Sequence, residues 1–486
     1  MEKKQLTYFM AVLPFLAMLL FIIVGYVILG MKIELMLASA AFIAGIVAWR
    51  LGYTWNDMQE EICRRMKKIT PAVLIMWSVG IVIGTFMFSG SIPLIIYYGL
   101  QLVNPKYLIA FAFIMTLVLA TFTGTSWGSA GTVGVAMIGV ATGLGVSVPM
   151  VAGAVISGAI FGDKMSPLSD TTNLCPAATG GVDLYEHIKH MQYTTWPAAA
   201  ISLILYIILG FASNSQAAGG DTGAEAMISC FGEIYHFSAL NNVLMLIPLL
   251  IILGGAALKK PTPPTMLLGS IVAIIVGMIC HGFTLANGST AAIAGFSGEL
   301  TNMDPELIDA SVKTLITRGG MKGMVGIITI IYSGYAFTAL WSMTGGIRMT
   351  FKPIISKVNT RASVVTSAVA ITTILDGACG TSYVPAIIVP ELFREKYVEL
   401  NMRLRNLSRT LEDAGTCLNP IWPWSMSGIF FATTFGFATT FTYVPYAFLC
   451  YLTPFIAVFC GLTGFGIHMM SDEEKEAELK RIHEDE

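Results

Sequence analysis

The sequence is poor in charge. Only 12% of its 486 residues are charged and 55% are hydrophobic, whereas a typical soluble domain has about 25% charged residues. The charge is unevenly placed, since 11 of the 58 charged residues lie in the last sixteen positions, 471–486. What precedes it consists largely of apolar runs of about 20 residues, the length that crosses a hydrocarbon layer of ~30 Å. This composition excludes a soluble enzyme and a disordered chain, and it predicts a polytopic membrane protein.

Several chemical signatures are also absent. The eight cysteines are scattered and form no CxxC pair or His-Cys cluster, so we expect neither disulfides nor a zinc-type centre. No GxxxxGK[ST] motif occurs, which argues against an ATP-driven pump. The carboxylates are not part of any nucleophile–base constellation, so an enzyme is not expected. A net charge of −2 gives no basic surface for nucleic acid.

Apolar segments long enough to cross a membrane recur along the chain, and we expect about 11–13 transmembrane helices. Cytoplasmic loops carry the excess of Lys and Arg. Lys3 and Lys4 therefore predict a cytoplasmic N-terminus in the cell membrane, and Lys259 and Lys260 mark another cytoplasmic loop. The loops 214–238 and 286–317 are expected outside. The predicted spans are about 7–29, 33–49, 70–89, 106–123, 149–162, 195–213, 239–257, 264–285, 322–345, 363–376, 424–440 and 442–467.

Four stretches are unlike ordinary spans, because they mix Gly, Ser, Thr, Pro and carboxylates with apolar sequence. They are Thr121–Gly145, Phe161–Gly181, Ile374–Pro390 and Leu407–Trp424. Irregular backbone at membrane depth is tolerated only where it is buried in protein or lines a wet cavity. Broken or re-entrant helices of this kind often supply the ion ligands of secondary transporters.

The four stretches form two copies of one pattern. Gly124-Thr125-Ser126 matches Gly380-Thr381-Ser382, and Leu168–Pro176 matches Leu411–Pro420, which pairs Asp170 with Asp413. The predicted topology makes the copies face opposite ways, as in inverted repeats. The expected fold class is an all-α membrane protein with two inverted repeats, divided into 1–69 (N-terminal spans), 70–213 (first repeat), 214–320 (connecting spans), 321–467 (second repeat) and 468–486 (charged tail).

Carboxylates within apolar sequence are the strongest candidates for ion binding, because at membrane depth they need a positive partner. We expect Asp170 and Asp413 to form the main site, with Asp376 and Asp163 as a second, coupled site. The alternatives to ion binding are structural roles: a solvated Asp163–Lys164 pair, a helix cap at Asp376, and an ion pair of Arg409 with Glu412 or Asp413. Neutral oxygens are expected from Thr125, Ser126, Thr171, Asn173, Thr381, Ser382, Thr416 and Asn419.

His187 and His190 are not expected to bind a metal. The segment Asp183–Met191 has the pattern of an amphipathic cytoplasmic helix, and His187 and His190 are expected on its surface rather than at a metal.

The stretches GTSWGSAGTVGVAMIGVATGLG, AGAVISGAIFGDKMSPLSDTTNLCPA and LSRTLEDAGTCLNPIWPW resemble the NhaC family of Na⁺/H⁺ antiporters over about residues 70–465. The resemblance implies Na⁺/H⁺ exchange by an inverted-repeat transporter whose moving unit carries two re-entrant hairpins. Some members exchange malate for lactate with Na⁺ and H⁺, and others are thought to carry amino acids. The implied site lies around Asp163, Ser166, Asp170, Thr171, Asn173, Asp376, Thr381, Ser382, Asp413, Thr416 and Asn419.

Two functions therefore stay open. In the first, Na⁺ and H⁺ compete at the carboxylates and no cofactor is needed, the two ions being the cargo. In the second, a small organic anion or an amino acid is exchanged and Na⁺ is the coupling ion. The expected partners are these ions and solutes and the membrane lipids, and homodimerisation stays open.

Overall fold

The computed structural model describes residues 5–213 and 220–485. Within these ranges the chain is helical, and its β-structure is confined to two isolated bridges, Phe296–Arg318 and Met402–Met469. The predicted all-α class is confirmed. Lys3 and Lys4, from which the side of the N-terminus was predicted, lie outside the described residues, as does the beginning of the loop 214–238.

Ten helices precede the gap at 214–219, and several are joined by short 3₁₀ or π-helical turns. They are α1 (Tyr8–Leu20), α2 (Ile33–Arg50), α3 (Trp55–Phe88), α4 (Ser91–Leu102), α5 (Leu108–Thr123), α6 (Ser126–Ser129), α7 (Val135–Gly143), α8 (Val148–Met165), α9 (Asp170–Ala178) and α10 (Leu184–Ser213). π-Helical turns continue α1 through Phe21–Ile28 and join α6 to α7 through Ala130–Gly134.

The helices after the gap are α11 (Gly220–Tyr235), α12 (Ala239–Ala257), α13 (Thr262–His281), α14 (Leu285–Ile293), α15 (Ala310–Ile316), α16 (Val325–Met343), α17 (Gly346–Ile355), α18 (Arg361–Cys379), α19 (Tyr383–Glu399), α20 (Leu404–Leu411), α21 (Met426–Phe435), α22 (Phe448–Thr463) and α23 (Asp472–Asp485). A π-helical turn, Glu412–Thr416, extends α20, and a 3₁₀ turn, Asn419–Ile421, follows it.

Ten helical segments in the described part of the chain are long and apolar enough to cross a membrane. Three shorter apolar helices, α4, α21 and α22, accompany them. Large apolar side chains face outwards, such as Phe9, Leu240 and Ile279, which are 69%, 70% and 69% exposed. A soluble monomer rarely exposes so much apolar surface, so this outer surface is suited to lipid. The polytopic membrane class is confirmed.

Helix α3 shows how the sequence sets the membrane boundary. Thr54 caps its start in a capping box with Asp57, and Glu61 pairs with Arg65 at 3.0 Å one turn apart. The apolar span begins at Ile69 within the same helix. The predicted boundary near position 69 is therefore a change of composition along an unbroken helix.

The prediction for the two histidines is wrong. The segment at Asp183–Met191 begins α10, and both His187 and His190 are buried. The Nδ1 atom of His187 lies 2.8 Å from the hydroxyl of Ser408 on α20. The pattern was interpreted as a surface helix because the covering helices come from a distant part of the sequence.

Four glycines end or begin helices in the same unusual conformation. Gly90 and Gly345 precede α4 and α17 with φ of 80° and 74°, and Gly124 and Gly380 end α5 and α18 with φ of 67° each. Positive φ is accessible to glycine without a Cβ clash. Gly124 and Gly380, which are matched in the sequence, thus share a local backbone geometry, and Gly90 and Gly345 share it as well.

Helix α8 carries the candidate carboxylate Asp163 and packs closely along α5. A Cβ atom on Gly158 would lie 2.2 Å from the carbonyl oxygen of Phe113, and one on Gly162 would lie 2.4 Å from the amide nitrogen of Thr121. Small residues of this kind let two membrane helices approach backbone to backbone. The glycines therefore fix the depth and rotation of α8.

The charged C-terminal segment is ordered as α23 and lies against α19 and the start of α20. Arg403 donates to Glu474 at 2.6 Å, and Asn401 donates to Asp472 at 2.7 Å. Hydrogen bonds from the Ser471 amide and from Arg403 lower the pKa of Glu474 below its ordinary value. Helix α23 is thus hydrogen-bonded to Asn401 and Arg403, which lie just before the broken stretch Leu407–Trp424.

Candidate functional site

A cavity of about 60 Å³ lies between the two broken regions of the chain. A cavity needs about 10–15 Å³ to hold one water, so this one has room for a cation with a few water molecules. Its lining joins residues that are far apart in the sequence: Ile75, Gly124, Thr125, Ser126, Trp127, Ile160, Asp163, Leu168, Ser169, Asp170, Thr171, Thr262, Ser382, Tyr383, Thr416, Met426 and Ser427.

Asp163 reaches the cavity from the last turn of α8. Its Oδ2 accepts a hydrogen bond of 2.6 Å from the hydroxyl of Ser126. Ser126 is there because Gly124 ends α5 in a left-handed conformation, and a Cβ on Gly124 would lie 2.5 Å from the side chain of Leu168. Thr125 then caps α6 by accepting from the amide of Gly128 at 3.3 Å. The Gly-Thr-Ser turn therefore points one hydroxyl at the carboxylate.

Asp170 lies on the other side of the loop that follows α8. It is the first residue of α9 and is exposed. It lines the cavity and also a wider opening of about 620 Å³, which Lys67, Lys259 and Lys260 share. Asp170 thus connects the small cavity with a basic opening on the side predicted to be cytoplasmic.

The neighbouring polar residues divide into two groups. Thr171 lines the cavity and lies 3.3 Å from the hydroxyl of Ser169. Ser166 and Asn173 instead hold the loop together: the Ser166 hydroxyl accepts from the amide of Leu168 at 3.3 Å, and Asn173 donates to two backbone carbonyls. The loop therefore keeps its shape through Ser166 and Asn173 and presents Thr171 to the cavity.

The second half contributes hydroxyls. Ser382 and Thr416 line the cavity, whereas the Thr381 hydroxyl lies 3.3 Å from that of Tyr335, outside the lining. Tyr383 and Ser427 also line it. No motif in the sequence singled out Tyr383 or Ser427, although Ser425 and Ser427 at the start of α21 are residues typical of a helix N-terminus.

Asp376 is fully buried outside the cavity lining. Its Oδ1 accepts from the amide of Asn419 at 2.8 Å, and the Asn419 oxygen accepts from the backbone of Ser427 at 3.0 Å. The second carboxylate oxygen, Oδ2, has no hydrogen-bond partner among the described residues. Asp376 is thus linked to the start of α21 through Asn419 and keeps one free oxygen.

Asp413 is also fully buried outside the lining, in a cluster of charges. Lys164 of α8 forms an ion pair and hydrogen bond with its Oδ1, and Thr194 of α10 donates to the same atom at 2.8 Å. Arg409 lies 3.7 Å from Oδ2. Successive residues of α8 therefore serve different neighbours: Asp163 faces the cavity and Lys164 neutralises Asp413.

Glu412 is a buried carboxylate that the sequence analysis set aside. It was paired with Arg409 as one alternative, but the Arg409 side chain lies near Asp413. The Thr416 hydroxyl and the Cys175 thiol are the neighbours of its carboxylate. Its place at a helix-breaking π turn, beside the matched Asp413, is the signal that could have selected it.

Comparison with known proteins agrees with the membrane architecture. The model of the "Na⁺/H⁺ antiporter family" matches residues 5–180 and 158–465. An uncharacterised Na⁺/H⁺ antiporter of Haemophilus influenzae is 37% identical over 93% of this chain and 95% of its own length. The Na⁺/H⁺ antiporter NhaC of Alkalihalophilus pseudofirmus is 33% identical over 96% and 98%.

A third relative has a different printed substrate. The malate-2H⁺/Na⁺-lactate antiporter of Bacillus subtilis is 33% identical over 90% of this chain and 91% of its own length. The resemblance to the NhaC family is confirmed by these full-length matches. The protein is a multi-pass membrane protein that belongs to the Na⁺/H⁺ antiporter family, a family of transporters.

Proposed function

We propose that this protein exchanges Na⁺ for H⁺ across the cell membrane and that the two ions compete in the cavity at Asp163 and Asp170. The observation that carries the proposal is the contact of Asp163 with Ser126 in a small cavity lined by hydroxyls of both broken regions. Hydroxyls and freed carbonyls beside a carboxylate are ligands that Na⁺ accepts in broken-helix transporters.

The proposal changes the roles of the two matched aspartates. Asp170 stays at the site, at its opening. Asp413 is the ion-pair partner of Lys164, and we assign it the task of holding the two halves together. Asp163, first expected in a secondary site, becomes the main ion ligand, because no cation of the protein is within ion-pair distance of it among the described residues.

Exchange follows from the cost of charge at membrane depth. A carboxylate there requires a positive partner, and either Na⁺ or a proton can supply it at Asp163. The occupied site is neutral and can reorient, whereas the empty site carries a charge that is costly to move through a low-dielectric region. One ion must therefore replace the other before the site returns, which gives antiport.

Many transporters reorient by moving one internal repeat against another, and we propose that 70–213 and 321–467 are inverted repeats, with the N-terminus inside. The support is local: Gly124 and Gly380 each end a helix, and Gly90 and Gly345 each precede one, all four in the left-handed conformation. Asp376, with one unpartnered oxygen, is a candidate for the second coupled site.

A reconstituted flux assay tests the function. Purified protein in liposomes should acidify or alkalinise the lumen when a Na⁺ gradient is imposed, with a fixed exchange ratio and saturation. K⁺, Li⁺, malate and lactate are added in turn. Proton movement that depends on Na⁺ and needs no organic solute supports plain exchange, and absence of Na⁺-linked proton movement under all conditions contradicts it.

The second candidate is exchange of a small organic anion with Na⁺ as coupling ion. The observation that favours it is the wide opening of about 620 Å³ with Lys67, Lys259 and Lys260 in its lining, since three cationic side chains attract a carboxylate. Uptake of labelled malate or lactate that requires Na⁺ would support this candidate, and its absence would leave Na⁺/H⁺ exchange.

A further inference from the structure

The cavity has an open side and a packed side. Asp170 and Thr262 line both the cavity and the wide opening with the three lysines, so the cavity is open there. The wall that the opening does not share includes Trp127 and Ser427, the second residue of α21. Trp127 packs on the buried ring of Phe430 in α21, with ring centroids 5.7 Å apart. Helix α21 therefore closes the packed side.

The far end of α21 is held by Arg318. The Nη1 atom of Arg318 donates to the carbonyl oxygen of Thr434 at 3.1 Å. Carbonyls in the last turn of a helix have no partner within the helix, and a cation is favoured at that end. The guanidinium is always charged, and no carboxylate is among its electrostatic neighbours in the described part of the chain. The end of α21 is therefore the group that compensates this charge.

The backbone of Arg318 is fixed to α3 rather than to α21. Arg318 and Phe296 exchange two backbone hydrogen bonds of 2.9 and 3.2 Å, and the amide of Gly320 donates to the carbonyl of Gly80 within α3 at 2.7 Å. Gly80 lies about 17 Å along the apolar span that begins at Ile69. The segment 294–320 therefore enters the protein at membrane depth and is anchored on a helix other than the one that Arg318 contacts.

The two ends of α21 are attached to different parts of the molecule. At its start, the amide of Ser427 donates to the side-chain oxygen of Asn419 in the second broken region. At its end, the hydroxyl of Thr434 is buried and has no hydrogen-bond partner among the described residues. The attachment of this end to the segment 294–320 thus depends on the Arg318 guanidinium and on packing.

We propose that Arg318 is a positioning residue that latches α21 to the segment 294–320 and keeps the cavity closed on that side. The cavity opens there after the Thr434 carbonyl leaves the guanidinium. The loop 286–317 is expected outside, so the latch stabilises the state in which the cavity faces the cytoplasm. The inference rests on the proposed exchange in one respect, namely that the cavity faces the two sides in turn.

Thiol labelling from one side of the membrane tests the latch. Thr434→Cys is the probe, because it replaces a hydroxyl without a partner and leaves the backbone carbonyl in place. The background is Cys63→Ser with Cys280→Ser, since these two native cysteines are not buried. An impermeant maleimide added to intact cells should label the probe about tenfold faster in Arg318→Met, the effect of losing one hydrogen bond from a charged group. Lys313→Met, an exposed lysine of α15, should leave the rate unchanged.

A second probe separates release of a latch from general loosening of the protein. Thr262→Cys lies on the open side of the cavity, and the same reagent reaches it in inverted membrane vesicles. Arg318→Met should not speed the labelling of Thr262→Cys, because that side is already open. Faster labelling of both probes, or an unchanged rate at Thr434→Cys, would overturn the proposal.

Arg318→Gln covers the case in which Arg318→Met does not fold, as judged by size-exclusion chromatography. The glutamine amide can donate to a carbonyl but has no charge, so Thr434→Cys should be labelled faster than with arginine and more slowly than with methionine. A wild-type rate in Arg318→Gln would contradict the latch. Labelling needs neither Na⁺ nor proton flux. Absence of Na⁺-linked proton movement therefore contradicts the exchange function alone, and the two failures are distinguishable.

Discussion

Lys164 and Asp413 form a fully buried ion pair that joins α8 to the turn following α20. The two residues are far apart in the sequence, and Thr194 and Arg409 complete the environment of the carboxylate. Removal of one partner from such a pair leaves an uncompensated charge in the protein interior. The pair therefore connects the two broken regions by electrostatics as well as by packing.

We expect Lys164→Met and Asp413→Asn each to destabilise the protein by about 3–5 kcal/mol, the usual cost of breaking a buried pair. Thermal unfolding of purified protein, followed by tryptophan fluorescence, measures this. Lys396→Met is the control, because its pair with Glu399 is partly exposed and such pairs contribute little. An Asp413→Asn protein with wild-type stability but no Na⁺-driven flux would make Asp413 a transport carboxylate instead.

Ser126→Ala tests the hydroxyl that contacts Asp163. If Ser126 is a ligand of Na⁺, its loss should raise the KM for Na⁺ about tenfold, which corresponds to ~1.4 kcal/mol, with little change in maximal rate. Ser129→Ala, on the same short helix but outside the cavity lining, should keep the wild-type KM. Equal KM values for Ser126→Ala and the wild type would exclude Ser126 from the site.

Gly162→Ala tests the close approach of α8 to α5. The added methyl would meet backbone atoms of Thr121 and Leu117 at 2.4 and 2.6 Å, so α8 must move and carry Asp163 away from Ser126. We expect lower thermal stability together with slower exchange. Gly254→Ala, in α12 with no atom within 4 Å of the new methyl, should be neutral or stabilising by up to about 1 kcal/mol. A wild-type rate for Gly162→Ala would show that this packing does not position the site.

The lysines of the wide opening discriminate between the two candidate functions. If the protein carries Na⁺, the double variant Lys259→Gln, Lys260→Gln should have a lower KM for Na⁺ at low ionic strength, because two positive charges that repel Na⁺ are gone. A site for an organic anion should show a higher KM for that anion. Both effects should fade as salt is added, and Lys357→Gln, an exposed lysine outside the opening, should show neither.

The sequence predicted the fold class and the broken regions that line the cavity, because both depend on local pattern. Apolar length identified the spans, and Gly, Pro and carboxylate content identified the broken regions that line the cavity, among them Asp163, Ser126 and Thr416. The predicted span 424–440 is too long. Helix α21 ends at Phe435, because the next residue, Gly436, adopts a positive φ.

What the sequence could not supply was the partner of each charge. Lys164 was interpreted as a neighbour of Asp163, but adjacent residues of a helix point about 100° apart, and Lys164 reaches Asp413 instead. Arg409 is close to both Glu412 and Asp413 in the sequence, and only the three-dimensional arrangement shows which of them it contacts. Similarly, the burial of His187 depends on α20, more than two hundred positions away.

Na⁺-driven proton flux in liposomes that contain the Asp163→Asn variant tests the central claim most directly. The asparagine keeps the shape of the side chain but neither takes up a proton nor carries the charge that holds Na⁺. We predict that flux is lost while size-exclusion behaviour and thermal stability stay near the wild type, and that Asp304→Asn, in an exposed loop, transports normally. Undiminished Na⁺-driven proton flux through Asp163→Asn would contradict the account.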